Sequence, residues 1–307
     1  MFPNVNTNVG QLMAISLTDS SKATDSTGRF FIVSGSTETN ANEIRAMYGS
    51  GYPDGTPVVF TTLTLALAKC VADRGDIIFI APGHTETITA ASGVNVNVAG
   101  VTIIGCGNGV DRPTFTLTTS VAASFDVTAA SVSINNIVIV EGIDASTAMT
   151  NVSATDVSFN MCEYRTNNAT MGAVLGILTA ATSDRLTVNN CRFVGPAVNS
   201  GTTTTAQIQY ESAVDIQIVN SYFTGKMTQS ILNVTGTVLR GLIANNYMVV
   251  GTGTKAISVA AASTPFISNN RINVPSGTTP IIAAAGFVAG NIYSAAAGVT
   301  AGTAVTI

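Results

Sequence analysis

Four carboxylates invite a chemical reading. Asp156, Asp184 and Asp215 each stand three or four residues before a short apolar stretch beginning at Phe159, Val188 or Ile218, and Glu211 lies just upstream of Asp215. Two carboxyls on one open face are what a glycoside hydrolase or lyase uses, one as acid and one as base or nucleophile. A row of them also suits a hard cation. The plainer alternative is solvated residues at strand entries, because like charges stacked on one another repel. His84, in "PGHTE", is the only imidazole, and Glu86 follows two residues on. That pairing is a candidate acid and base, or a structural histidine in a turn. Tyr222 and Tyr247 occupy matching places in successive stretches; such a pair stacks on sugar rings or sits in a subunit interface. No nucleophile elbow, phosphate loop or dinucleotide fingerprint occurs.

Composition narrows the classes. Of 307 residues only 10% are charged, against roughly 25% in an ordinary globular chain. Hydrophobic residues make up 46%, too many for a disordered chain. A net charge of -4 and a pI near 4.9 argue against nucleic acid, which needs a basic footprint. Cys70, Cys106, Cys162 and Cys191 lack metal-ligand spacing, so small buried thiols are expected, with no metal and no cofactor. "MFPNVNTNVGQLMAISL" lacks a basic start followed by an apolar run, so no secretory signal is expected. No stretch reaches about 18 uninterrupted apolar residues, so no membrane partner is expected.

The elements that would position these residues repeat. "LTVNNCRFVGP", "IQIVNSYFTGK" and "GLIANNYMVVG" share one pattern: apolar residue, turn residue, large residue. Starts at Ile103, Ile134, Phe159, Val188, Ile218, Ile243, Ile267 and Val288 recur every 21 to 31 residues. A period of that length marks a repeat architecture, and its Val/Ile/Thr/Phe alternation is β. Stacked short strands then give an all-β, parallel β-helix of about eight coils; an antiparallel sandwich with unrelated Asn turns is the competing fold. Asn136, Asn190, Asn220, Asn245, Asn269 and Asn291 are the expected corner ladder, since Asn tolerates left-handed backbone and bonds to its own kind above and below. Ile139, Tyr164, Phe193, Phe223, Met248, Ile272 and Tyr293 are the expected inward stack. Thr61 or Thr62 opens a helix with Leu63, Leu65, Leu67, Ala68 and Val71 on its apolar side and Gly75 at its end. That helix is placed to cap the first coil, a sheet edge that must be covered. Residues 1–57 do not repeat and read as an N-terminal anchoring segment with one strand, Phe30 to Val33, and a helical turn near Glu43 to Tyr48. Residues 58–307 are the capping helix and solenoid.

Helix, then "GDIIFIAPGHTETI", then coils with "NN" corners resembles the entry into a right-handed, single-stranded, pectin-lyase-like β-helix across residues 58–307. That fold hosts lyases, hydrolases and structural proteins, so it does not fix activity. Low charge and an Ala/Thr/Ser/Gly/Asn-rich composition resemble phage virion decoration, cement or spike proteins. The resemblance implies a homotrimer at the virion capsid surface, bound to the phage major capsid protein and made in the host cytoplasm. Short, even loops favour a cement protein that stabilises the head over a tailspike. The alternatives are a glycan hydrolase or lyase acting through Asp156, Asp184, Asp215 or Glu211, and a non-catalytic adhesin holding glycan through Tyr222 and Tyr247.

Overall fold

Single apolar residues set between polar ones, as in Ser133–Asn135 or Thr187–Asn189, form strands of three residues that bury only the middle side chain. Strands this short gain stability only when stacked. The structure, a computed structural model, stacks them into a parallel solenoid of about 10 turns. It describes residues 28–36, 38, 40–197, 202–211, 213–234, 237–252, 255–260, 263–275, 280–283, 286–295 and 303–305.

Three sheets of 12, 10 and 8 strands run the length of the solenoid. In the first sheet, Ile103, Ile134, Phe159, Val188, Ile218, Ile243, Ile267 and Val288 lie in unbroken register and are all buried. In the second, Ile139, Tyr164, Phe193, Phe223, Met248, Ile272 and Tyr293 are likewise in register. All but the half-buried Tyr293 are core residues. Strand spacing brings the rings face to face: Tyr164 to Phe193 at 4.9 Å, and Phe193 to Phe223 at 4.8 Å with planes 1° apart.

The N-terminal end is built differently from the expected boundary at residue 57. Strand β1 (Phe30–Val33) pairs in parallel with β3 (Ile77–Ile80), and β2 (Val59–Phe60) pairs with β1. Phe31 and Val33 enter the same core as Ile78 and Ile80. Phe30–Val33 of the expected N-terminal segment is therefore part of the solenoid's first sheet; residues 1–27 of that segment lie outside the described residues. Helix α1 (Ala41–Tyr48) packs Ile44 and Tyr48 against Ile32 and Val58. Helix α2 (Leu63–Leu67) is capped by Thr62, whose hydroxyl accepts from the Leu65 N–H at 3.3 Å. Leu63, Ala66 and Leu67 are buried over the open end of the first coil. The helix is shorter than expected, and Leu65 and Val71 are exposed. Beyond its end the buried Asp76 carboxylate ties down the connection to β3, accepting from the N–H groups of Val71 and Arg29 and from the Arg74 guanidinium. At the other end, Asn291–Ala295 pairs antiparallel with Thr303–Val305, closing the second sheet. Most of the tail after Tyr293 lies outside the described residues.

Candidate functional site

In seven successive coils the corner that enters the first sheet carries a residue with positive φ. Gly75, Gly100, Ser131, Asp156, Arg185, Asp215 and Arg240 supply it in successive coils, all with φ between 56° and 78°. The last four alternate in sign. Arg185 donates to both oxygens of Asp156 at 2.5 and 2.7 Å, and Arg240 to both oxygens of Asp215 at 2.8 Å. The hydrogen bonds from Arg185 hold Asp156 below its ordinary range, and those from Arg240 do the same for Asp215. Asp184 sits one residue ahead of Arg185 and accepts from the Val214 N–H at 2.8 Å. Glu211 is half-buried, and its own N–H donates to the Thr179 hydroxyl.

The four carboxylates are thus not one catalytic row. Asp156 and Asp215 share an open groove of about 340 Å³ with Arg185, Ser158, Thr187 and Gln217. They stand two coils apart, roughly 10 Å at normal strand spacing, with a guanidinium between. A glycosidase acid needs a raised pKa; both of these aspartates are lowered. The stacking of like charges feared from the spacing is avoided because Arg alternates with Asp.

The corner after the first sheet carries two columns, and the spacing had merged them. Asn136, Asn190, Asn220, Asn245 and Asn269 have φ of 53° to 58° and are exposed or half-buried; they make the bend. Met161 takes that place in one coil and Gly290 in another. The buried ladder is the next column: Ser221, Asn246, Asn270 and Asn291, continued by Cys191 and Cys162. Asn270 Oδ1 accepts from both the N–H and the side-chain amide of Asn246 at 3.0 Å, and Asn291 Oδ1 accepts likewise from Asn270 at 2.9 and 2.8 Å. Of the six expected ladder residues only Asn291 is in the ladder. Two of the bend residues also bond to the coil before, Asn136 to the Gly105 and Gly107 carbonyls and Asn220 to Asn189 Oδ1, but from half-buried or exposed positions outside the buried column.

Tyr222 and Tyr247 do come together, rings 5.3 Å apart and 4° from parallel. The Arg192 guanidinium lies 6.0 Å from the Tyr222 centroid, on the adjacent coil, and Arg271 pairs with Tyr247 in register. The rings stack along the solenoid axis, so each spends a face on the other and presents its edge outward. Sugar stacking needs an open face, which weakens that use of the pair. One coil earlier Glu163 accepts from both Arg192 and Arg112, the latter reaching across two coils.

The first sheet's outer face differs from this. Its outward residues run Thr102, Ser133, Ser158, Thr187, Gln217, Leu242, Phe266, Phe287 in one column, and Ile104, Asn135, Asn160, Asn189, Val219, Ala244, Ser268, Ala289 in the other. None of these is charged. Phe266 and Phe287 are more than half exposed, with rings 5.4 Å apart.

His84 is neither solvated nor in an open site. It is buried between Glu38 at 2.7 Å on Nδ1 and Glu86 at 2.9 Å on Nε2. Burial alone would lower the imidazole, but the bonds to Glu86 and Glu38 outweigh it and raise it above 6.5. Glu86 also accepts from the Leu63 N–H at the start of α2. The cluster therefore ties together the N-terminal chain, the first coil and the cap. Only the pairing of His84 with Glu86 was legible in sequence; Glu38 lies 46 residues away. Glu141 was missed altogether. It is fully buried, receives the Ser146 hydroxyl at 2.7 Å, and burial pushes its pKa up to about 7. Its period-2 position between apolar neighbours was the available signal. The four thiols are free, Cys70 half-buried and the rest buried. Among the described residues no group of His, Cys, Asp or Glu is arranged to hold a metal, and no helix is long and apolar enough to cross a membrane. Comparison of the chain with protein families, with curated proteins and with solved structures finds no match.

Proposed function

We propose that this protein is a non-catalytic structural component of a phage particle, a homotrimeric capsid decoration or cement protein that binds the major capsid protein and stabilises the head. The observation that carries the reading is the fate of the corner carboxylates. Asp156 and Asp215 are each held by two hydrogen bonds from an Arg of the next coil, so the best candidates for acid and base are part of the scaffold. A rigid solenoid with short loops and an uncharged face is suited to packing against neighbours. The low charge and the resemblance to virion proteins supply the particle and the location at its surface.

The test joins mass to binding. Purified protein is weighed in solution, mixed with expanded capsids of its own phage, and the capsid melting temperature is recorded. A trimer that binds and raises that temperature supports the proposal. Protein that ignores capsids but shortens a host polysaccharide, with loss of activity on Asp156→Asn or Asp215→Asn, overturns it in favour of the hydrolase reading. Glycan binding without cleavage, lost on Tyr247→Ala, would favour the adhesin.

A further inference from the structure

We infer that the outer face of the first sheet is the surface through which this chain packs against further copies of itself, side by side and all pointing the same way. The inference rests on the assembly reading above and adds to it a face and an orientation.

The face carries no Asp, Glu, Lys, Arg or His in either outward column from Thr102 to Ala289. The chain has charges to place, and places them elsewhere: Glu163, Arg165, Arg192 and Arg271 lie on the second sheet's outer side, and the Asp–Arg pairs lie at the corner. A surface that meets its own copy about a symmetry axis sets like beside like, so a charge there would repel itself. Hydroxyls and amides escape this, because each both donates and accepts. Ser133, Ser158, Thr187 and Gln217 are complementary to their own copies. A foreign partner is ordinarily selected by a charge pattern; here the charges are confined to the mutually neutralised Asp–Arg pairs along one edge of the face. The ion pairs of Asp156 and Asp215 then form a polar rim beside an uncharged centre.

Orientation follows from the gradient along the face. The N-terminal half presents hydroxyls and amides. The C-terminal end presents Phe266 and Phe287, at 54% and 57% exposure, with the half-buried Leu242 next to Phe266 in the same column. Copies aligned the same way set Phe on Phe and hydroxyl on hydroxyl. Copies aligned head to tail set Phe287 against Thr102, leaving the rings against polar groups. Aligned copies also bring every N-terminal end to one end of the assembly, where a shared anchor would act.

The test uses the full chain with Cys70→Ser, the other thiols being buried. Light scattering across micromolar concentrations should give a multiple of the 31.3 kDa chain mass. The double variant Phe266→Asp/Phe287→Asp should fall to one chain with an unchanged circular dichroism spectrum. Thr187→Lys, at the polar centre, is the second variant should the first fail to fold, and should also give one chain. A spin label at Thr102→Cys should report a short distance between copies. Head-to-tail packing would separate those labels by about seven strand spacings, roughly 34 Å. A wild-type monomer, an oligomer unmoved by these variants, or labels that far apart would overturn the inference. A monomer that still binds capsids would sink this inference and leave the virion reading. An aligned oligomer that ignores capsids would do the reverse.

Discussion

Asn269 and Asn270 look interchangeable in sequence, yet their replacement should cost very different amounts. Asn270→Ala leaves the buried Asn246 N–H without its acceptor and removes the side-chain donor to the Ile243 carbonyl at 2.9 Å. An orphaned buried group costs about 1–3 kcal/mol, so two give about 2–6 kcal/mol, before any loss from the Asn246 and Asn291 amides. Asn269→Ala removes only tolerance for a φ of 56°, a cost of about 1–2 kcal/mol. Asn269→Gly should be nearly neutral, since glycine adopts that angle freely. Urea unfolding followed by circular dichroism gives the ranking. The Asn ladder couples each coil to the next, so the loss should also appear as faster amide exchange in residues 246–274, ahead of global unfolding. Equal losses at the two positions, or a larger one at Asn269, would refute the two-column account of the corner.

Met161 fills a left-handed corner place with an exposed side chain, so Met161→Gly should stabilise by about 1 kcal/mol in the same urea assay. Glu141 has a folded pKa of about 7 against an ordinary 4.5, so the folded state holds its proton longer than the unfolded chain. Stability should therefore fall as pH rises from about 4.5 to 7, by about 3 kcal/mol at most. Glu141→Gln should abolish that slope and be the more stable form at pH 8. The raised pKa of His84 works in the same direction through the ion cluster: its contribution is full below pH 6.5 and is lost as pH rises through the folded value. Glu38, lowered by its bond to His84 despite the opposing effect of burial, contributes above its unfolded pKa and is lost in acid. His84→Ala strands two carboxylates and should cost about 3 kcal/mol or more, read as a lower melting temperature and faster exchange in β1.

The inward columns were legible because burial selects strongly. A residue such as Phe193 must match Tyr164 and Phe223 in size and register, and the period of the coil prints that match into the sequence. The corner was legible only in outline. Where the chain writes Asn245–Asn246 and Asn269–Asn270, both residues suit a bend, and nothing local says which is buried. Gly290 before Asn291 was the clue, since a glycine beside the bend must be the left-handed member. The alternation of Asp156, Arg185, Asp215 and Arg240 was also present in the sequence at the coil spacing. Reading carboxylates alone hid it, because an ion ladder is visible only when both signs are placed on one column. Strand β1 was recognised as a strand, but its partner β3 lies 47 residues on, across two helices, and no periodicity crosses that gap.

Because the buried columns stack in unbroken register, length in this protein is counted rather than measured. Each coil advances the rod by one strand spacing, roughly 4.8 Å, whatever the length of its loops. Removing or duplicating one interior coil, such as residues 216–240, would shift the ends by that single step and leave the buried columns continuous on either side. The chain is in effect a molecular ruler with graduations set by backbone geometry, and its reach can change by whole coils without redesign of the faces.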